Sequence, residues 1–331
     1  MAGGILRIIF TGDDLARVRI ASRADPLWET VASLHRFQAG DGGAAMAEWR
    51  RRARAKLAET GLLQDVRRML VPLAPRAAYF PDFLTPIEAQ QGVEEGIQAI
   101  LDTPPARVRR ELDLLRARHG LPAHLESLPD DGPAMRRLAA VAAGYFQTAL
   151  GEHWGEVERA VSQDRGTRVR HLADGGVEGM FTQLSPKVRW RAPVLEVDYP
   201  AGDRELRLRG RGLTLIPSYF CRTAPVTLAD PGLPPVLVYP VARTGVAGRK
   251  TGGDALAELL GKTRAAVLRC VGLAPGCSTT ELARRAGVPT SSASEHARVL
   301  RQAGLIVSTR HANLMLHQIT ESGDALLRGT R

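Results

Sequence analysis

The first 185 residues carry apolar side chains every three or four positions, a spacing that predicts helices. Leu27, Val31 and Leu34, for example, share one face of a helix predicted over residues 26–37. The same spacing predicts further helices over residues 46–62, 86–101, 135–150 and 152–172. The chain opens differently, because the β-branched and aromatic residues at positions 5–10 predict a short strand.

From Lys187 onward the apolar period changes to two, which predicts strands with one buried and one solvated face. Apolar residues alternate with charged ones over residues 188–191, 195–199 and 206–209, and a turn at residues 200–203 separates the last two runs. We therefore expect an antiparallel meander. Two apolar runs, residues 213–220 and 236–241, are expected to complete the same sheet.

Residues 244–253 hold four glycines without any apolar period, which is typical of a linker. This segment divides the chain into an amino-terminal region over residues 1–243 and a carboxy-terminal domain over residues 254–331. Within the first region, residues 1–185 are predicted to be helical and residues 186–243 to form the sheet.

The last quarter of the chain predicts two short helices joined by a tight turn. An amphipathic helix over residues 253–271 comes first, and Ser278-Thr279-Thr280-Glu281 then has the Ser-x-x-Glu pattern of a capping box. Gly287-Val288-Pro289 ends that short helix, because glycine adopts left-handed dihedral angles and proline does not continue a helix. A second helix begins at once with Thr290, and its Ala293, Ala297 and Leu300 face inward.

This arrangement is typical of a helix-turn-helix, whose second helix enters the major groove of DNA. Residues 305–309 and 314–319 predict a following hairpin with a basic tip, which is a wing. The fold class is therefore α+β: a mostly helical amino-terminal region with a small antiparallel sheet, then a winged helix-turn-helix domain. The candidate DNA contacts are Thr280, Arg284, Arg285, Ser291, Ser292, Ser294, Glu295, His296, Arg298, Arg310 and His311.

The run from Glu281-Leu282-Ala283 through Gly287-Val288 and Ala293-Ser294-Glu295-His296 to residues 299–306 resembles the ArsR/SmtB winged-helix repressors. The resemblance covers about a quarter of the chain and implies a homodimeric, cytoplasmic transcriptional repressor that an inducer releases from double-stranded DNA. Residues 1–243 resemble more loosely the long amino-terminal region of some large ArsR-like regulators, notably over residues 27–30 and 80–86.

Two positions depart from the family pattern. Where metal-sensing members have Cys-x-Cys, this chain has Ser278 and Thr280, with Cys277 one position out of register, so we expect no metal site and no cofactor. Where many members have arginine, this chain has Glu295. That carboxylate accepts a hydrogen bond from cytosine N4, completes a second capping box with Ser292, or forms a surface ion pair.

Net charge agrees with an anionic partner such as nucleic acid. Lys and Arg number 45 against 35 Asp and Glu, a formal charge of +10, and residues 251–331 hold ten of these basic residues against six acidic ones. The longest apolar stretch, residues 138–146, is too short to cross a membrane, so we expect a protein that stays inside the cell. Three cysteines in so long a chain do not indicate a disulfide framework.

No hydrolase, zinc-protease or dithiol motif occurs, so we do not expect an enzyme. The aromatic residues concentrate in the amino-terminal region, where they either fill the core or line an effector pocket. Candidates for that pocket are Tyr79, Phe80, Phe83, Tyr145, Phe146, Trp154 and Trp190. Two other readings stay open: a winged helix that binds protein or RNA, and a catalytic amino-terminal domain tethered to DNA.

Overall fold

The computed structural model describes residues 4–40, 43–76, 79–199, 202–221, 224–241, 255–273, 276–311 and 314–329. The chain forms two compact units, Met1–Arg243 and Thr244–Arg331. The predicted linker over residues 244–253 lies outside the described residues. Among the described residues, no helix is both long enough and apolar enough to span a membrane.

The first unit is built mainly from helices. Its α-helices are α1 (Gly12–Ala16), α2 (Pro26–Gln38), α3 (Gly43–Glu59), α4 (Leu63–Asp65), α5 (Val71–Leu73), α6 (Val93–Leu101), α7 (Pro105–His119), α8 (Ala123–Glu126), α9 (Gly132–Tyr145) and α10 (Trp154–Thr182). Short π-helical turns over Val66–Leu70 and Phe146–Leu150 and 3-10 turns over Asp82–Leu84, Ile87–Gln90 and Gly151–His153 connect some of them. The helix predicted over residues 86–101 is thus interrupted after its first turn.

Over the described residues of the first unit, seven strands form two sheets. They are β1 (Gly4–Ile9), β2 (Arg19–Ile20), β3 (Val188–Arg191), β4 (Val194–Tyr199), β5 (Arg204–Arg207), β6 (Thr214–Ser218) and β7 (Val236–Pro240). The first sheet has the order β3-β4-β1-β5, in which β1 is antiparallel to β4 and parallel to β5. The predicted meander is therefore wrong, because the amino-terminal strand lies between β4 and β5.

The second sheet has the order β2-β6-β7, and both of its strand pairs are parallel. The runs over residues 213–220 and 236–241 are strands as predicted, but they do not complete the first sheet. Parallel neighbours need long crossover connections, which local alternation does not reveal.

Buried carboxylates join distant segments of the first unit. Glu29 on α2 is fully buried and accepts hydrogen bonds from the Ser218 hydroxyl at 3.0 Å and from the amides of Tyr219 and Phe220 at 2.6 and 3.0 Å. Asp25 caps the start of α2, and burial raises its pKa to about 7. Burial also raises the pKa of Glu29 to about 7.

A buried ion pair lies between α10 and β7. Arg168 donates to Asp164 at 2.8 Å, and their side chains are 3% and 0% exposed. The hydroxyl of Tyr239 donates to the same carboxylate at 2.7 Å.

The second unit is a three-stranded sheet with five helices around it, counted over its described residues. The elements are α11 (Ala255–Leu260), α12 (Lys262–Leu273), β8 (Cys277–Ser278), α13 (Thr279–Ala286), α14 (Thr290–Gln302), β9 (Ile306–His311), β10 (Leu314–Ile319) and α15 (Glu321–Gly329). The helix predicted over residues 253–271 is two helices, because Gly261 has a φ of +83° and breaks it. The α+β class and the carboxy-terminal winged helix are confirmed.

The cores of the two units differ in composition. All four Trp, five Tyr and seven Phe of the chain precede residue 244. The core of the second unit is accordingly aliphatic, with Leu256, Val267, Leu268, Leu282 and Leu300 among its buried members.

Candidate nucleic-acid interface

The first helix of the motif, α13, begins and ends as its sequence predicts. The Ser278 hydroxyl accepts a hydrogen bond from the Glu281 amide at 3.3 Å. Only this half of the predicted capping box forms, because the Glu281 carboxylate accepts from Arg285 instead, at 2.9 Å from Nε. Gly287 ends the helix with a φ of +67°, a conformation that favours glycine.

The second helix, α14, follows after three residues and begins at Thr290 with Pro289 as its N-cap. Ala293, Ala297 and Leu300 are buried, as predicted, and α14 packs on α12 and α13. Because Pro289 holds the cap position, Ser292 and Glu295 do not form a capping box. That alternative for Glu295 is wrong.

The opposite side of α14 faces solvent. At 100° per residue, its side chains at positions 291, 294, 295, 298 and 302 lie within about half a turn of one another. We call this set the outer stripe; it comprises Ser291, Ser294, Glu295, Arg298 and Gln302, all exposed. Three small or polar side chains at its start let the amino-terminal part of the helix approach a groove closely.

Arg298 is held by two neighbours on the outer stripe. Its Nε and Nη2 donate to the two carboxylate oxygens of Glu295 at 3.0 and 2.6 Å, and its Nη1 donates to Gln302 Oε1 at 3.0 Å. The hydrogen bonds from Arg298 lower the pKa of Glu295, and nearby Arg264 acts in the same direction. Glu295 in turn raises the pKa of Arg298. Both groups are therefore charged at neutral pH.

Two predicted contact residues of α14 lie off the outer stripe. Ser292 and His296 are only partly exposed and flank the buried side of the helix. The Nδ1 atom of His296 is buried and finds no hydrogen-bond partner among the described residues.

The predicted contacts on α13 are all exposed. Thr280 and Arg284 lie one turn apart on the same side of the helix, while Arg285 is paired with Glu281. Arg284 has no ion-pair partner among the described residues.

The wing is the antiparallel pair of β9 and β10, in which Arg310 lies opposite Met315 and His311 opposite Leu314. Arg310 and His311 are exposed near its tip, and the two tip residues 312–313 lie outside the described part. His317 on β10 is buried, and its two ring nitrogens lie 3.0 Å from the Thr279 hydroxyl and 2.8 Å from the Ser308 hydroxyl. Sequence reasoning missed this histidine, which joins the wing to the start of α13.

The structure does not bring the seven predicted pocket residues to one site. Six of them pack in or against the main core of the first unit, whereas Trp190 packs in a separate cluster with Phe10 and Phe181. A surface depression of about 190 Å³ is lined by other residues, namely Val18, Ile20, Arg165, Val169, Leu172 and Met180.

The cysteines are not arranged as metal ligands. Cys277 is 3% exposed in the core of the second unit, and burial raises the pKa of its thiol. Over the part of the chain that the structure describes, no group of three or more His, Cys, Asp or Glu side chains is placed to hold a metal ion.

Comparison with known proteins finds a family match within the second unit. Residues 260–313 match the MarR family, and this segment holds α12, α13, α14 and the first strand of the wing, β9. The winged-helix part of the predicted resemblance is thus confirmed, whereas the ArsR/SmtB assignment is not supported. No curated protein matches the sequence.

One solved structure is similar to part of the chain. It is titled "Crystal structure of the predicted DNA-binding transcriptional regulator from E. coli". The two sequences are 31% identical over 23% of this chain and 81% of that chain, with a TM-score of 0.20.

Proposed function

We propose that the protein is a sequence-specific, DNA-binding transcriptional regulator that acts as a homodimeric repressor in the cytoplasm. The observation that carries the proposal is the outer stripe, an exposed polar face on the second helix of a winged helix within the MarR-matched segment. A dimer would place two such helices in successive major grooves about 34 Å apart, on a palindromic operator.

The first unit, in this proposal, dimerises, senses a small molecule, or both, and has no catalytic activity. Several of its charged groups are engaged within the fold, as Glu29 and the Asp164–Arg168 pair illustrate. The exposed Arg284 and Arg310 on the second unit are suited to phosphate contacts, which would make binding strongly dependent on salt.

The test is an electrophoretic shift with the DNA upstream of the protein's own gene against scrambled DNA, at about 150 mM salt. We expect specific binding that Arg298→Ala weakens by about 1–3 kcal/mol. Arg116→Ala is the matched control, since it removes an exposed, ion-paired arginine from α7 of the other unit.

If the gene's own upstream region is not bound, selection of bound fragments from the whole genome extends the test to distant targets. No preference for any DNA sequence in that selection would contradict the proposal and favour a winged helix that binds protein or RNA.

A further inference from the structure

We infer that Glu295 and Gln302 are positioning residues, which hold the Arg298 guanidinium for a bidentate contact with one guanine in each half-site. The inference rests on the proposed function and names the base that the outer stripe reads. It assigns Glu295 a role through Arg298 and not a base contact of its own.

The hydrogen bonds of Arg298 leave a specific part of the guanidinium open. An arginine side chain has five N–H donors, and three of them are engaged: Nε and one on Nη2 by Glu295, and one on Nη1 by Gln302. One donor therefore remains on each of the two terminal nitrogens. Guanine presents two neighbouring acceptors, O6 and N7, in the major groove, whereas adenine, thymine and cytosine each present at most one.

The ion pair between Glu295 and Arg298 contributes little to the stability of the fold. The two side chains are 57% and 48% exposed, and exposed ion pairs of this kind contribute little to stability. Its consequence is conformational, because a long side chain anchored at two points loses less freedom when it binds. Arg298 is thus oriented before DNA arrives.

The carboxylate also favours a base over a phosphate as the target of Arg298. A negative charge in direct contact with the guanidinium would be repelled by a phosphate, whereas a base edge carries no net charge. Arg284 and Arg310 are exposed and have no acidic partner among the described residues, so they are better suited to the DNA backbone. Among the described residues, Arg298 thus has an acidic partner, whereas Arg284 and Arg310 have none.

The experiment uses the full-length protein. Selection from a random duplex library first defines the preferred site, and equilibrium binding is then measured to that site and to each of its single-base-pair substitutions. We expect Arg298→Ala to abolish a preference for G·C of roughly 5- to 150-fold at one position per half-site. Arg298→Lys keeps the positive charge but lacks the two parallel N–H donors of the guanidinium. This variant should lose the same preference, while the salt dependence of its DNA binding stays close to that of the wild type.

Glu295→Ala provides the sharper test of the positioning role. We expect it to reduce the preference at the same base pair that Arg298→Ala affects, and the double variant to equal Arg298→Ala alone. Asp113→Ala is the matched control, because Asp113 is an exposed carboxylate that pairs with Arg116 at the same i,i+3 spacing on α7 of the first unit, and it should keep the full preference at that base pair.

The possible contrary results are distinct. If Glu295→Ala alters the preference at a different base pair, Glu295 reads a base itself and the positioning role is overturned. If Arg298→Ala weakens all sequences equally, Arg298 contacts the backbone and the guanine assignment is overturned. If the wild-type protein selects no sequence at all, the proposed function fails and this inference fails with it.

Discussion

The two units use charged side chains in opposite ways. The first unit buries several of them, including Glu29, Asp164 and Arg168, and uses them to join segments that are far apart in sequence. In the second unit, His317 is the one polar or charged side chain that is buried among the described residues. The arginines and carboxylates that the structure describes there are exposed or partly exposed instead.

This difference separates two uses of polarity. A buried carboxylate requires partners within the fold, because an unpaired buried charge is costly. Surface charges contribute little to folding and are available to a partner. The comparison predicts that charge changes destabilise the first unit strongly and the second unit weakly.

The largest effect is expected at the buried ion pair of the first unit. Arg168→Ala leaves the Asp164 carboxylate buried without its cation and should lower the free energy of unfolding by about 3–5 kcal/mol. Urea unfolding followed by circular dichroism measures the loss, and Arg298→Ala serves as the exposed counterpart, with an expected change within about 0.5 kcal/mol. Equal losses in the two variants would remove the contrast between the units.

The next effect concerns pH. Burial raises the pKa of Asp25 from 3.8 to about 7 in the folded protein, so between about pH 4 and pH 7 the folded state keeps a proton that the unfolded state releases. The stabilisation from this group is full below pH 4 and is lost as the pH rises to about 7, by at most about 4 kcal/mol.

Asp25→Asn tests this prediction, because asparagine also caps a helix but does not titrate. The free energy of unfolding of the variant should fall less between pH 5 and pH 8 than that of the wild type. The pKa of Glu29 is raised for the same reason, so the free energy of unfolding of the variant should still fall somewhat with rising pH. Parallel pH profiles for the two proteins would show that Asp25 does not titrate in this range.

The smallest effect is expected in the second unit. Ser278→Ala removes the hydroxyl that caps α13 and should cost about 1 kcal/mol, a loss typical of an N-cap. Thermal unfolding of the full chain checks this value. Ser278→Asp should restore most of the stability, and a loss as large as that of Arg168→Ala would show that the second unit depends on its polar groups as the first one does.

Local signals made the second unit predictable from sequence. Ser278, Gly287 and the inward alanines of α14 each determine structure within a few residues of themselves. The ion-pair partner of Glu295 could also be predicted from the sequence, because Arg298 follows at the i+3 spacing that brings side chains together on a helix. The choice between that pair and a capping box depended on where α14 begins, and Pro289 determines this.

Long-range pairing explains what the sequence did not reveal. Residues of β1 and β4 are about 190 positions apart, as the pairing of Leu6 with Val197 shows, and the alternating pattern of each strand does not specify its neighbour. The sequence of either strand alone does not show that β1 and β4 pair across the intervening residues 10–193. The role of His317 was hidden for the same reason, since Thr279 is 38 positions away from it.

No Trp, Tyr or Phe follows position 243, so the intrinsic fluorescence of the protein reports on the first unit alone. All tryptophan fluorescence arises from the first unit, while the proposed DNA contacts lie in the second. A change in emission when operator DNA is added therefore reports a response of the first unit to an event in the other. If a ligand binds the first unit more tightly when operator DNA is bound, thermodynamic reciprocity requires that the ligand raise the affinity for operator DNA. The factor by which the operator changes the affinity for the ligand equals the factor by which the ligand changes the affinity for the operator.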